Sequence, residues 1–225
     1  MSEARAEILN RIALALDGVP SAVASMPGAE RPQEVPRAYR ADSEVATGSA
    51  QALEILVDRL VDYRAVVHRA ASETDISGVV AEVLSDAGSL VYPDGLDPAW
   101  LSRLPATVVT HEDSLTAPLG VMELDAIDAV LTACRVAVAD TGTIILDGQP
   151  DQGRRAITLV PDTHVCVVHT QQVVHLLPQA ITQLAQHPTR PQTWIAGPSA
   201  TSDIELNRVE GVHGPRNLHV IIVGG

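Results

Sequence analysis

Phenylalanine and lysine are both missing from this 225-residue chain, and aromatics of any kind are scarce: Trp100, Trp194 and three tyrosines. Without Phe the core must be built from Val, Ile, Leu and Ala, and platforms for stacking nucleic-acid bases or sugars are poorly supplied. All fifteen basic residues are arginine. The lack of lysine rules out a Walker-A phosphate loop, whose Lys reaches the phosphates, and any lysine Schiff-base mechanism. Cys134 and Cys166 are the only cysteines, in apolar, strand-like surroundings and outside any Cys-x-x-Cys pattern. The chain's thiols therefore supply neither an iron–sulfur cluster nor a structural zinc site, and no bound cofactor or metal is expected. No apolar run approaches ~18 residues, which argues against membrane insertion. The start Met1-Ser2-Glu3-Ala4-Arg5 shows no charged-then-apolar leader pattern, so a soluble, cytoplasmic protein is the expectation.

A net charge of −13 sets the long-range field against DNA, RNA and anionic lipid. It leaves room for a small anion, since a pocket can differ from the global field. Arg154-Arg155, the one adjacent basic pair, reads as a solvated loop rather than a phosphate clamp. The length suits one domain with a large core, or one domain with a small appendage.

Residues 3–17 read as an amphipathic helix, with Ile8, Ile12 and Leu16 on one side, ending at Gly18. The proline-rich stretch that follows, to residue 45, reads as an extended arm. Residues 1–45 are thus expected to form an N-terminal helix and arm, and 46–225 a single domain. From about residue 49 helices and short apolar strands alternate. Helical spacing covers 50–63, 75–87 and 98–104, with strands at 65–68, 89–92 and 106–110. That rhythm predicts βαβ units and an α/β fold: a mixed, largely parallel sheet flanked by helices. The second half is richer in strands (128–132, 135–139, 143–147, 164–169, 192–196), with a helix at 177–186 and a continuously apolar last strand, 218–223.

The densest polar segment is Gly197-Pro198-Ser199-Ala200-Thr201-Ser202-Asp203-Ile204-Glu205, soon followed by Gly211-Val212-His213-Gly214-Pro215-Arg216. Polar groups held between Gly-Pro turns suit a loop fixed in one shape for a ligand. Ser202 and Glu205 also fit a helix capping box. Gly197, Ser199 and Thr201 follow an apolar strand, so free helix amides could face a crevice there. Asp203 and Glu205 already bring negative charge to that turn, which suits ligand hydroxyls, a cation or proton transfer better than a bare phosphate. His213, between glycines, can act as acid, base or ligand or can simply hold the turn. Gly214 lies beside it, and Arg216 could bond a ligand carboxylate.

Asp140-Thr141-Gly142-Thr143 reads as a hairpin turn or as a polar cluster at a strand end. Pro161-Asp162-Thr163-His164 resembles an ordinary turn opening a strand, with His164 a further ligand-binding candidate. His164 and His169, five apart on a straight strand, would point to opposite faces. The candidates for chemistry are accordingly Asp203, Glu205, His213 and Asp140. Those for ligand binding are Thr141, Gly142, Thr143, His164, Gly197, Ser199, Thr201, Gly214 and Arg216.

Four stretches, in order across roughly residues 125–223, together resemble the LUD domain family of LutC- and YkgG-type lactate-utilisation proteins. They are Ala139–Thr143, Leu159–His164, Gly197–Glu205 and Gly211–Pro215, with Ala200 and Ser202 at the variable positions of the third. The resemblance implies the NagB, ribose-phosphate isomerase (RpiA) and CoA-transferase-like fold. It also implies a part in oxidising L-lactate to pyruvate beside iron–sulfur partner subunits, as catalytic or accessory component. Two other readings stay open: a self-sufficient enzyme on a CoA ester or sugar phosphate, with Asp140 or Glu205 as nucleophile or base, and a non-catalytic subunit whose loops dock a partner.

Overall fold

The computed structural model describes residues 5, 7–11, 40, 42–201, 209–210 and 214–224. The chain divides into two compact units, 1–39 and 40–225. In the first, residues 5 and 7–11 are helical, and Arg11 pairs with Glu7 at 2.5 Å on its exposed surface. The remainder of the expected helix and the proline-rich arm to residue 39 lies outside the described residues, apart from residues 5 and 7–11.

The second unit opens with helix α1 (Ala50–Asp62), whose Ser49 side chain accepts a hydrogen bond from the Ala52 amide. This N-cap satisfies one of the amides left free at a helix start. Leu53, Leu56 and Leu60 fall on one stripe and are buried. Then come β1 (Val66–Ala70), α2 (Glu73–Val83), β2 (Ser89–Pro93), a 3-10 turn (Pro98–Leu101), β3 (Val109–Asp113), α3 (Val121–Asp125) and β4 (Ala129–Ala133). The second half holds β5 (Val136–Val138), β6 (Thr143–Leu146), a 3-10 turn (Arg155–Thr158), β7 (Thr163–His169), β8 (Val173–Val174) and α4 (Leu177–Leu184). Strands β9 (Thr193–Ile195), β10 (Ala200–Thr201), β11 (Val209–Glu210) and β12 (Asn217–Val223) complete it. No helix among the described residues is long and apolar enough to cross a membrane.

Six strands form a wholly parallel sheet in the order β1-β12-β7-β4-β2-β3. Strands β8-β5-β6-β9 form a second, mainly antiparallel sheet, and β10 pairs with β11 as a two-stranded ribbon. The fold is α/β with a largely parallel sheet, as the sequence rhythm predicts; the strands of the second half are shared out between sheets.

The period-2 alternation of β12 and β7 decides the layering. Leu218, Val220, Ile222, Cys166 and Val168 pack with α1 and with Ala137, Ile144 and Leu146 of the second sheet. Ile221, Val223, Val165 and Val167 face the other way, onto Ile76 and Val80 of α2 and Trp100. The outer side of the second sheet, Val136, Val138, Ile145 and Val174, is covered by Ala180 and Leu184 of α4. The central strands are therefore covered on both faces, which is why β4 is buried at every position.

Two differences from the sequence reading bear on the site. The strand expected at 106–110 runs instead from Val109 to Asp113. It is an edge strand, mostly exposed, so its pairing of Ser89 with Val109 fixes its position rather than its own apolarity. Helix α3 has no counterpart in the sequence reading, because its five residues bury only Leu124 and show no apolar period.

Candidate functional site

Gly197 closes the turn after β9 in a left-handed conformation, φ +79°. A Cβ there would stand 2.7 Å from the Tyr63 Cβ and 2.8 Å from its carbonyl oxygen, so the end of α1 leaves space for glycine alone. Two residues on, the Ser199 amide donates to the Pro215 carbonyl at 2.8 Å, which ties the Gly197–Thr201 segment to Gly214–Arg216. The strand that precedes this turn belongs to the second sheet, and the residues after Pro215 lead into the start of β12. The loop therefore stands at the beginning of the parallel strands β7 and β12 rather than at their C-terminal crevice. Thr201 lies in β10, its backbone opposite Val209. Asp203, Glu205 and His213, with the expected helix opening at Ser202, lie outside the described residues.

Arg216 bonds Asp162 through Nη1 at 3.0 Å, both side chains being largely exposed, and a ligand carboxylate would compete with that aspartate. His164, the second residue of β7, is 1% exposed, with Nε2 2.8 Å from the Thr132 hydroxyl of β4. His169 points to the opposite face, against Glu73 and the Trp100 ring, as the five-residue spacing predicts.

Asp140–Thr143 is the hairpin between β5 and β6, with Val138 opposite Thr143. Gly142 takes φ +62°, and a Cβ there would meet the Arg59 Cβ at 2.8 Å. The Arg59 Nε donates to the Asp140 carbonyl, and the Thr141 hydroxyl bonds that of Thr143 at 2.8 Å. The hairpin is thus braced against α1. None of its four residues lines either of the cavities described next.

Two cavities meet over the 3-10 turn Arg155–Thr158. One, of about 480 Å³, is lined by Leu159, His164, Trp194, Gly197, Ser199 and Gly214. It gathers four of the sequence candidates at the start of β7 and β12. The other, of about 470 Å³, reaches Asp94 and Asp113 at the C-terminal ends of β2 and β3, where open α/β sheets usually take ligands. Arg155, Thr158 and Thr193 line both. Each volume falls within the ~300–1,000 Å³ of small-molecule pockets.

The second cavity has a rigid charged wall. Asp113, 1% exposed, accepts from Arg154 Nε and Nη2, each at 2.7 Å, and from the Leu119 amide at 2.9 Å. The hydrogen bonds to Asp113 hold the Arg154 proton more tightly than usual. Arg154 is therefore a structural cation and not the solvated loop residue that its sequence setting suggests. Its neighbour Arg155 is exposed, and its guanidinium has no hydrogen-bond or ion-pair partner among the described residues.

Behind His164 runs a buried polar seam. The Thr132 hydroxyl lies between His164 Nε2 and the Cys166 thiol, 3.9 Å away, and Cys134 lies 3.4 Å from Gln172 Oε1. The interaction between the two neighbouring thiols, with burial added, raises Cys134 well above its ordinary range; the same interaction lowers Cys166. Both cysteines are buried and free. No group of three or more His, Cys, Asp or Glu among the described residues could hold a metal ion.

Sequence reasoning missed three site features: the Asp113–Arg154 wall, Thr132 beneath His164, and Arg155 where the cavities join. Only the Arg154-Arg155 pair carried a signal, and it could not show that one arginine is paired with Asp113 while the other has no partner among the described residues.

Residues 53–223 match the LUD domain. Lactate utilization protein C of Deinococcus radiodurans is 42% identical over 225 residues, covering 99% of this chain and 97% of that protein. Lactate utilization protein C of Bacillus subtilis is 27% identical over 188 residues, or 75% of this chain and 78% of its own. The crystal structure of a DUF162 family protein from Deinococcus radiodurans superposes with a TM-score of 0.66 at 40% identity, covering 78% of this chain and 98% of that one.

Proposed function

We propose, from the premise that this chain belongs to the LUD domain family, that it serves lactate utilisation as a component of an iron–sulfur-dependent system oxidising L-lactate to pyruvate. The observation that carries this reading is the 42% identity, over nearly the whole of both chains, to a protein named for lactate utilisation. Iron–sulfur clusters belong to partner subunits in this reading, where they accept electrons one at a time. This chain's thiols are committed to a buried seam rather than offered as ligands.

The chain's own part is to bind and orient a small organic acid. Arg155, without a partner among the described residues, supplies a cation beside the cleft, and a charge-assisted bond to a carboxylate is the contact it suits best. His164 stands at the same wall, its ring fixed by Thr132. Ser199 supplies a hydroxyl from the cleft lining, and Thr201, Asp203, Glu205 and His213 are assigned in this reading to ligand hydroxyls and protons. Thr141, Gly142, Thr143 and Asp140 sit on the braced hairpin, away from the cavities, and act in this reading only through a different face. The test uses cell extract from a strain deleted for this chain. L-lactate-dependent dye reduction should be lost and should return on adding the purified chain. Unchanged reduction in the deleted extract contradicts the reading.

A further inference from the structure

We infer that the two cavities are the lobes of one cleft, and that it takes an elongated organic acid whose carboxylate sits on Arg155 and whose uncharged apolar arm lies in the lobe beside β3. This rests on the organic-acid reading of the same cleft and extends it beyond a three-carbon acid. Arg155, Thr158 and Thr193 line both, so the two spaces adjoin at these side chains. Each is about 470–480 Å³, several times the space that lactate fills.

The charges fix the orientation. Among the cations lining the cleft, Arg154 is satisfied by Asp113 and by the Leu119 carbonyl, which leaves Arg155 to meet an anion. A second donor waits in the same lobe. Gln152 is 1% exposed and its Oε1 accepts from the Asp147 amide at 2.7 Å, but its Nε2 has no acceptor among the described residues. A buried amide without an acceptor is costly, and in a straight-chain acid the carboxylate held by Arg155 is the group whose oxygen would relieve it. The Asp94 carboxylate lines this lobe too and disfavours a second anionic group there. Leu115, Leu146, Pro150 and Pro191 offer the apolar wall along which an arm can lie. Leu115, 87% exposed, stands at the open edge of this lobe.

The experiment is a ligand-observed NMR titration of the full chain with L-lactate and with straight-chain carboxylates from acetate to octanoate. Affinity should rise about fourfold for each added methylene until the lobe is filled. Arg155→Gln should weaken every acid at least tenfold, while 1-octanol binding stays unchanged. Leu115→Ser, at an exposed position that does not test the fold, should flatten the dependence on chain length. Affinities that do not change with chain length overturn the inference, as does an Arg155→Gln variant that binds octanoate like wild type. A chain that binds lactate but no longer acid loses the elongated-ligand inference alone. Lactate-dependent dye reduction that never needed this chain fails the functional reading instead, whatever octanoate does.

Discussion

The Thr132 hydroxyl lies 2.8 Å from Nε2 of His164, across two neighbouring parallel strands and wholly inside the core. Val130 is the residue in register with His164, so Thr132 reaches it diagonally, one pleat along the same face. A histidine at a cavity wall is thereby held in one ring orientation by a residue that carries no signal of its own in the sequence.

Replacing that hydroxyl tests the arrangement. Thr132→Val keeps the volume and leaves a buried ring nitrogen without its partner, for an expected loss of about 1–3 kcal/mol in urea unfolding. A change below 0.5 kcal/mol, to take a rough threshold for surface-like substitutions, would show that the ring finds another partner.

The wall of the second cavity should be more sensitive. Asp113→Ala strips the carboxylate from a guanidinium and an acceptor from the Leu119 amide, and about 3 kcal/mol of stability should go with it. Asp113→Asn keeps an acceptor for the amide and should lose less. Equal losses in the two variants would mean that the charge contributes nothing beyond the hydrogen bonds.

Stability should also fall in mild acid. His68 on β1 and His219 on β12 stack with ring centroids 5.3 Å apart, Nε2 of one 3.0 Å from Nδ1 of the other. Burial lowers both, with Glu82 opposing it at His68 and the His68 ring adding to it at His219. The unfolded histidines protonate near pH ~6.5, before the folded pair can. Stability contributed by the neutral pair is therefore complete above that pH and is lost as pH falls below it, down through the depressed values. Urea midpoints measured at neutral pH and in mild acid should drop on acidification in the wild type and drop less in His68→Gln. Parallel curves for the two proteins would assign the acid sensitivity to other groups.

The layering of the parallel sheet was legible because its strands alternate cleanly: Leu218, Val220 and Ile222 to one side, Ile221 and Val223 to the other. The division into two sheets was not, since β4 and β5 are separated by only Cys134 and Arg135 and both are buried throughout. Periodicity tells which face a residue takes but not which strand it pairs with. At the site, Gly197, Ser199, His164 and Gly214 were legible as a polar, turn-rich set, and they line one cavity. Gly142 and its neighbours carried the same kind of local signal yet brace a hairpin on α1, because Gly and Thr mark turns wherever they occur. The different fates of Arg154 and Arg155 depend on Asp113, some forty positions away, a pairing that only the fold creates.

Growth of a deletion strain on L-lactate as sole carbon source, beside growth on pyruvate, tests the role in lactate utilisation most directly. Loss of growth on lactate alone is expected, restored by the wild-type chain and poorly by Arg155→Gln. Undiminished growth on lactate without this chain, or equal loss on both carbon sources, contradicts that role.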